Sequence, residues 1–379
     1  MGYCGLVSII VITGAAGVIG TMLRPRLARP DRTLRLLDIA PLADGAGPAE
    51  EYVQASTTDL AAMTAACEGA DAVIHLAGVP GEVSWETILE LNINGTYTAF
   101  EAARRAGVPR VIFASSNHAI GFTPRSRFPV PDYTFPAPDT YYGVSKVAAE
   151  GLAGLYHHRY GLDTICIRIL TCFPEPPDRR ALSTWLSPDD AGRLFEACLT
   201  APSPGFRVVF GVSANTRGGF VSLDEARALG YEPQDDAEVY AATILAADPD
   251  ADVPDEDYPA LQYLGGRFTF PDLDAPLSLV VALPLVVALS LVVALPLVVA
   301  LFLVVVDPVQ AHRDADHERV VLALGDIYPV GVADLEPAPG HVRDLVVPVE
   351  DLEVLVDDVA DRFQVPAVPQ LDSRLVVQR

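Results

Sequence analysis

The sequence predicts a doubly wound α/β protein on a parallel sheet, and three observations predict it. Short apolar runs alternate with stretches whose apolar residues recur at helical spacing, a glycine-rich turn follows the first run, and an acidic residue closes the second. The runs at 6–12, 33–37, 72–76, 110–114, 163–169 and 206–210 are rich in Val, Ile and Leu. Near-continuous apolar runs suit strands covered on both faces. The stretches at 18–27, 60–67 and 87–105 carry the helical period. Parallel neighbours need a crossover long enough to hold a helix, so this rhythm argues for parallel pairing.

Composition narrows the class of function. Fifty Asp and Glu against 26 Lys and Arg give a formal charge of -24, which argues against a nucleic-acid partner because phosphate binding rests on clustered cations. Only one of the basic residues is a lysine, Lys146. The five cysteines (Cys4, Cys67, Cys166, Cys172 and Cys198) include no C-x-x-C pair. An odd, dispersed set reads as reduced thiols in a cytoplasmic protein. Residues 1–12 have neither a basic n-region nor a small-residue cleavage site, so the first apolar run reads as a strand. Length allows a homo-oligomer but does not specify one.

Three segments are expected: a catalytic domain over 1–275 with an integral C-terminal substrate region, an apolar repeat over 276–306, and an acidic tail over 307–379. Residues 277–306 carry no charge and repeat a hexapeptide of the LSLVVA/LPLVVA type. That run exceeds the roughly 20 residues needed to span a bilayer. Pro284 and Pro296 interrupt it, and no arginine cluster flanks it to set an orientation. A membrane segment and a non-native translated repeat therefore both stay open. The tail holds 15 acidic and 6 basic residues. Its His312–His317 cluster reads as a polar linker before it reads as a metal site, and no metal is expected.

Chemistry concentrates in the first 275 residues. Gly14, Gly17 and Gly20, with Ile19 between the last two, form a turn from strand into helix. Such a turn lets backbone N–H groups and the helix dipole meet a pyrophosphate, the Rossmann-type arrangement. Asp38 lies 18 residues beyond Gly20, where a carboxylate accepts the ribose hydroxyls of NAD and repels the extra phosphate of NADP. Asp59 and Leu60 suit a contact to the adenine, while His75-Leu76-Ala77-Gly78 ends a strand beside the cofactor. His75 itself reads as a packed, hydrogen-bonded residue. Tyr142 and Lys146 stand at i and i+4 and so share a helix face. A free phenol titrates near pH 10, and a neighbouring cation is expected to lower it. Ser115 and Ser116 end a strand upstream and can orient a substrate oxygen. Cys172 reads as a small core residue.

These motifs, with Asn92 in Asn-Ile-Asn-Gly-Thr, together resemble the extended short-chain dehydrogenase/reductase family. Within it, IFASSNHAIG at 112–121 and CFPEPPDRRALSTWLSP at 172–188 resemble the uronate dehydrogenases, and the likeness runs from about residue 8 to about 271. The resemblance implies an NAD-dependent oxidation of a sugar acid at C1 to an aldarolactone. It implies Tyr142 as base, Lys146 as its electrostatic partner and grip on the nicotinamide ribose, and Asn92 as support for the proton relay. It assigns Ser116 to the reacting oxygen, Asn117 and His118 to sugar hydroxyls, and Arg180 to the substrate carboxylate. The alternative readings are a solvated charge for Arg180 and turn residues for Asn117 and His118. Pro80 stands where a serine is expected and Leu170-Thr171 where Gly-Ser is, leaving Thr171 to supply the hydroxyl. A nucleotide-sugar epimerase or dehydratase needs a larger C-terminal lobe, and a non-catalytic NAD-binding protein would not need Tyr142 and Lys146. Both stay open as alternatives.

Overall fold

The computed structural model describes residues 8–270 and, further on, two short strands. The expected sheet is present, with seven strands in the order β3-β2-β1-β4-β5-β6-β9. These are β1 (Ser8–Thr13), β2 (Arg32–Asp38), β3 (Glu50–Gln54), β4 (Ala72–His75), β5 (Arg110–Ser116), β6 (Asp163–Ile169) and β9 (Phe206–Gly211), and every pairing between them is parallel. Strand order reverses between β1 and β4, which opens a crevice beyond their carboxyl ends. The two-residue strands β7 (Thr171–Cys172) and β8 (Trp185–Leu186) pair separately.

Alternation along the strands divides the core between two faces. In β1, Ile10 and Ile12 face one layer and Val11 the other. The first layer is closed by α1 (Val18–Leu27) and α7 (Pro188–Thr200), and the second by α2 (Leu60–Cys67), α4 (Gly95–Ala106) and α5 (Tyr141–Tyr160). The short helices α3 (Trp85–Thr87), α6 (Ala181–Thr184), α8 (Asp224–Ala228) and α9 (Ala241–Ala247) complete the set. A small third cluster gathers Ile120, Phe210 and Phe220 around Tyr258, Leu261 and Leu264.

Two elements differ from the sequence reading. β3 is not among the strands named from the sequence, since Glu50 and Glu51 break its apolar pattern, yet it is an edge strand whose acids pair with Arg24 and Arg35. Charged edge strands are one way proteins guard against edge-to-edge association. The helix expected over 87–105 is broken: residues Ile88–Asn94 form a π-helical turn before α4 begins. Thr96 Oγ1 donates to the Asn92 carbonyl there (2.6 Å), and π-turns of this kind concentrate at functional sites.

The chain divides into two compact units, Met1–Leu277 and Ser278–Arg379. In the second unit only β10 (Arg319–Leu322) and β11 (Leu345–Pro348) are described, as an antiparallel pair. The apolar repeat and the His312–His317 cluster lie outside the described residues. Among the described residues, no helix is long and apolar enough to cross a membrane, and no His, Cys, Asp and Glu group could hold a metal ion.

Candidate active site

The cofactor end is built at the turn after β1. Gly14 sits at φ +69°, and a Cβ there would lie 2.7 Å from the Ala77 nitrogen, so the turn and the end of β4 pack backbone to backbone. Gly20 faces Gly14 and Ala15 too closely for any side chain. The helix that follows is capped by Gly17 without a side-chain hydrogen bond, which leaves first-turn N–H groups for an anion. Asp38 closes β2 and accepts from the Ala16 N–H (2.9 Å) and the Ala40 N–H (3.0 Å). The carboxylate thus touches the glycine turn directly. Asp59 caps α2, accepting from Ala61 and Ala62 at 3.0 Å, and Leu60 starts that helix.

His75 is fully buried between Thr13 Oγ1 (2.7 Å) and Thr96 Oγ1 (3.2 Å), and it stacks on Phe113. Burial pushes its imidazole down to about 3, with Lys146 adding to the effect. This is the packed histidine the sequence suggests. Burial likewise pushes the Cys172 thiol up to about 12, so it is an inert core residue.

The reacting end is built where β5 meets α5. Thr140 caps α5, its Oγ1 accepting from Gly143 N–H (3.0 Å), and Gly161 ends the helix in the left-handed conformation. Tyr142, Lys146, Ala149, Glu150 and Ala153 fall on its buried face, as the i, i+4 and i+7 spacing requires. Ser116 ends β5, where its Oγ accepts from the His118 N–H (3.2 Å) and donates to Asn117 Oδ1 (3.4 Å), and its hydroxyl acts to lower the pKa of the neighbouring Tyr142 phenol. Lys146 Nζ donates to the Ala114 carbonyl (2.8 Å) and lies 5.2 Å from the centre of the Tyr142 ring. The expectation that Lys146 lowers the phenol needs correction. Burial pushes Tyr142 up to about 12, opposed only by the Ser116 hydroxyl, and Lys146 is itself pushed down to about 8 by burial. Desolvation outweighs the cation because the ammonium sits over the ring face with its bond spent on a carbonyl.

Several side chains position this pair. Asn92 Oδ1 accepts from the Val79 N–H (2.8 Å) and its Nδ2 donates to the Val79 carbonyl (3.0 Å), pinning the strand-end loop that contains Gly78 and Pro80. The same Nδ2 reaches Ser145 Oγ at 3.4 Å. Glu82, in that loop, accepts from the N–H groups of Tyr141 (3.2 Å) and Tyr142 (2.8 Å). His118 Nδ1 lies 2.7 Å from the buried Asp139 Oδ2, and its ring faces Tyr142 and Phe268. A side chain at Gly121 or Gly265 would collide with that carboxylate. Glu82, Asp139 and Phe268 have no signal in the sequence beyond their residue types.

Arg180 is not a solvated charge. Its Nη1 reaches Thr171 Oγ1 (3.2 Å) and Thr184 Oγ1 (3.4 Å), and its Nη2 donates to the Leu264 carbonyl (2.6 Å). Asn117 Nδ2 donates to that same carbonyl (2.8 Å), so Arg180 and the Ser116-Asn117 strand end meet across one backbone group. The Arg180 Nε is buried without a hydrogen-bond partner, and among the described residues no carboxylate pairs with this guanidinium. Burial pulls its pKa down. Arg179, by contrast, is paired with Asp248 and Asp255.

A glycine cradle at a topological switch point, beside a Ser-Tyr-Lys cluster, defines a dinucleotide-dependent oxidoreductase of the short-chain type. Residues 10–186 match the NAD dependent epimerase/dehydratase family. A uronate dehydrogenase of Pseudomonas putida is 44% identical over 259 residues, covering 68% of this chain and 94% of the relative. An NAD-dependent glucose-6-phosphate dehydrogenase of Haloferax volcanii is 39% identical, covering 60% and 94%. The crystal structure of uronate dehydrogenase from Agrobacterium tumefaciens superposes with a TM-score of 0.65 at 41% identity, covering 70% of this chain and 98% of that one. The chain belongs to the NAD-dependent epimerase/dehydratase family and, within it, to the uronate dehydrogenases. Its cofactor is NAD, and the glycine cradle, the open helix start and Asp38 fit that group.

Proposed function

We propose that this chain oxidises a uronic acid, galacturonate or glucuronate, at C1 to the aldarolactone. The observation that carries the substrate class is Arg180, a buried guanidinium without a carboxylate partner among the described residues, tied through Leu264 to the strand end that bears Ser116. A planar fork of this kind holds a carboxylate in two hydrogen bonds. NAD is held by Gly14, Gly17, Ile19 and Gly20, by Asp38 at the ribose, by Asp59 and Leu60 at the adenine, and by Leu76, Ala77 and Gly78 alongside. Bound there, it supplies the acceptor for the hydride that leaves C1. Tyr142, ionised in the loaded site, takes the proton of the anomeric hydroxyl while Ser116 holds the same oxygen; the C1–H leaves as hydride and the O–H as a proton, so the C1–OH group becomes the lactone carbonyl. Lys146 grips the nicotinamide ribose, and Asn92 holds the loop that borders this relay. His118, Thr171 and Asn117 meet the sugar hydroxyls.

NADH formation by the full chain with galacturonate and glucuronate tests this reading. Tyr142→Phe is expected to cost about 10²-fold or more in kcat, and Arg180→Ala to raise the uronate KM about tenfold or more. Glucose 6-phosphate belongs in the same assay, because the Haloferax relative is named for it and the Arg180 fork would also hold a phosphate. Equal turnover of galactose and glucose would remove Arg180 from the substrate site. No NADH from any sugar by folded, NAD-binding protein would overturn the proposal.

A further inference from the structure

One buried ion pair in the catalytic layer has no part in the chemistry described so far. Glu150 lies one helical turn beyond Lys146 on the buried face of α5. Its carboxylate takes two bonds from Arg168 of β6, Nε at 2.9 Å and Nη2 at 2.7 Å, and a third from Ser115 Oγ at 2.6 Å. Both charged side chains are nearly inaccessible, at 3% and 9% exposure. Arg168 Nη1 also donates to the Asp132 carbonyl (3.2 Å). Three elements therefore meet at one carboxylate: the end of β5 next to Ser116, the end of β6, and the helix that carries Tyr142 and Lys146.

We propose that Glu150 is a positioning residue of this active site, which locks α5 to the ends of β5 and β6 and keeps Lys146 cationic against the Ala114 carbonyl. A buried pair is weak support for stability, because its desolvation offsets its attraction. Its value here is where it places charge. An opposite charge one helical turn away favours the protonated amine, and in a dry seam that influence is poorly screened. Burial lowers the Lys146 pKa, and Glu150 is the largest influence acting against it. The other titratable groups in reach are few. On β4, His75 is held neutral; on β6, Cys166 is held as a thiol and Arg168 is committed to Glu150; on α5, Tyr142 is held as a phenol. Glu150 is thus the negative charge that supports the ammonium.

The inference rests on Lys146 acting as the proposed function has it, but its test does not depend on turnover. Lys146 is the sole lysine in the chain, so lysine labelled isotopically at Cε gives one resonance whose titration reports one amine. In the full chain, Glu150→Gln is expected to lower that midpoint by at least about one pH unit. Glu150→Gln leaves Arg168 unpaired, so the variant is made alongside Glu150→Gln/Arg168→Met, which removes both buried charges and is the better folder. Its midpoint should also fall below wild type. Activity should follow the same order. Turnover needs the protonated amine, so it declines as pH rises through the Lys146 pKa, and a lower pKa moves that alkaline limb to lower pH. A purely structural role would reduce the rate at every pH and leave the limb in place. A resonance titrating at one common pH in wild type and in the folded variants overturns the inference. A resonance that moves in protein with no turnover on any sugar supports the inference and counts against the proposed function alone.

Discussion

At the residue scale, Asp38 shows how one carboxylate serves shape and selectivity together. It holds the Ala16 and Ala40 N–H groups and so braces the glycine turn, and in the proposed function its charge also meets the adenosine ribose. Asp38→Asn keeps an acceptor oxygen for the turn and removes the charge. The ratio of kcat/KM for NADP over NAD should then rise at least about tenfold, about 1.4 kcal/mol of discrimination. An unchanged ratio in a folded variant would show that shape, not repulsion, excludes the phosphate. Asp38 was legible because its distance from the glycine motif is fixed by a β-α-β unit. Tyr142 and Lys146 were legible for the same reason, a fixed spacing on one helix. Asp139 was not: it meets His118 across a turn, and the glycines that enclose it, Gly121 and Gly265, are 144 residues apart in the sequence. No local period encodes such a meeting.

At the element scale, α5 depends on a cap from outside itself. Thr140 satisfies Gly143, but the N–H groups of Tyr141 and Tyr142 are satisfied by Glu82, nearly sixty residues earlier. Glu82→Ala leaves both donors unpaired in a largely buried place and should cost about 1–3 kcal/mol of stability, seen as a lower urea midpoint. Because Tyr142 is one of the two, kcat should fall further than stability alone requires. Glu82→Gln, which keeps one of the two acceptor oxygens, should recover part of both. Full activity in Glu82→Ala would mean that α5 holds its register without this loop. The sequence pattern located α1, α2 and β6 to the residue, since each has an uninterrupted period. It missed β3, whose acids face solvent and arginines, and it ran one helix through 87–105. The π-turn at Ile88–Asn94 is set by what Asn92 bonds across space, to Val79 and toward Ser145, and a helical period cannot report that.

At the scale of the whole molecule, the question is where the functional protein ends. The last segment that the site uses is the strap over 261–268. Leu264 N–H donates to the Thr123 carbonyl (2.9 Å) and Gly265 N–H to the Gly121 carbonyl (2.8 Å), which holds the Leu264 carbonyl where Arg180 and Asn117 both reach it. Phe268 follows, against His118. Among the described residues, those that build the site and the three clusters around it all lie at or before 270. The relatives agree, since 68% of this chain accounts for 94% of the Pseudomonas putida protein. Residues 277–306 add thirty uncharged positions, nearly all apolar, and an apolar run of that extent favours association where it is exposed. A chain ending at residue 275 should therefore stay dispersed at concentrations where the full chain sediments, with an unchanged KM for NAD. A chain ending at residue 260 should lose uronate turnover, because Arg180 and Asn117 lose their shared acceptor and His118 loses Phe268. Size-exclusion profiles and NADH formation on the three chains decide the matter. A dispersed, folded 1–275 chain without turnover, beside an active full chain, would place part of the catalytic unit in the tail.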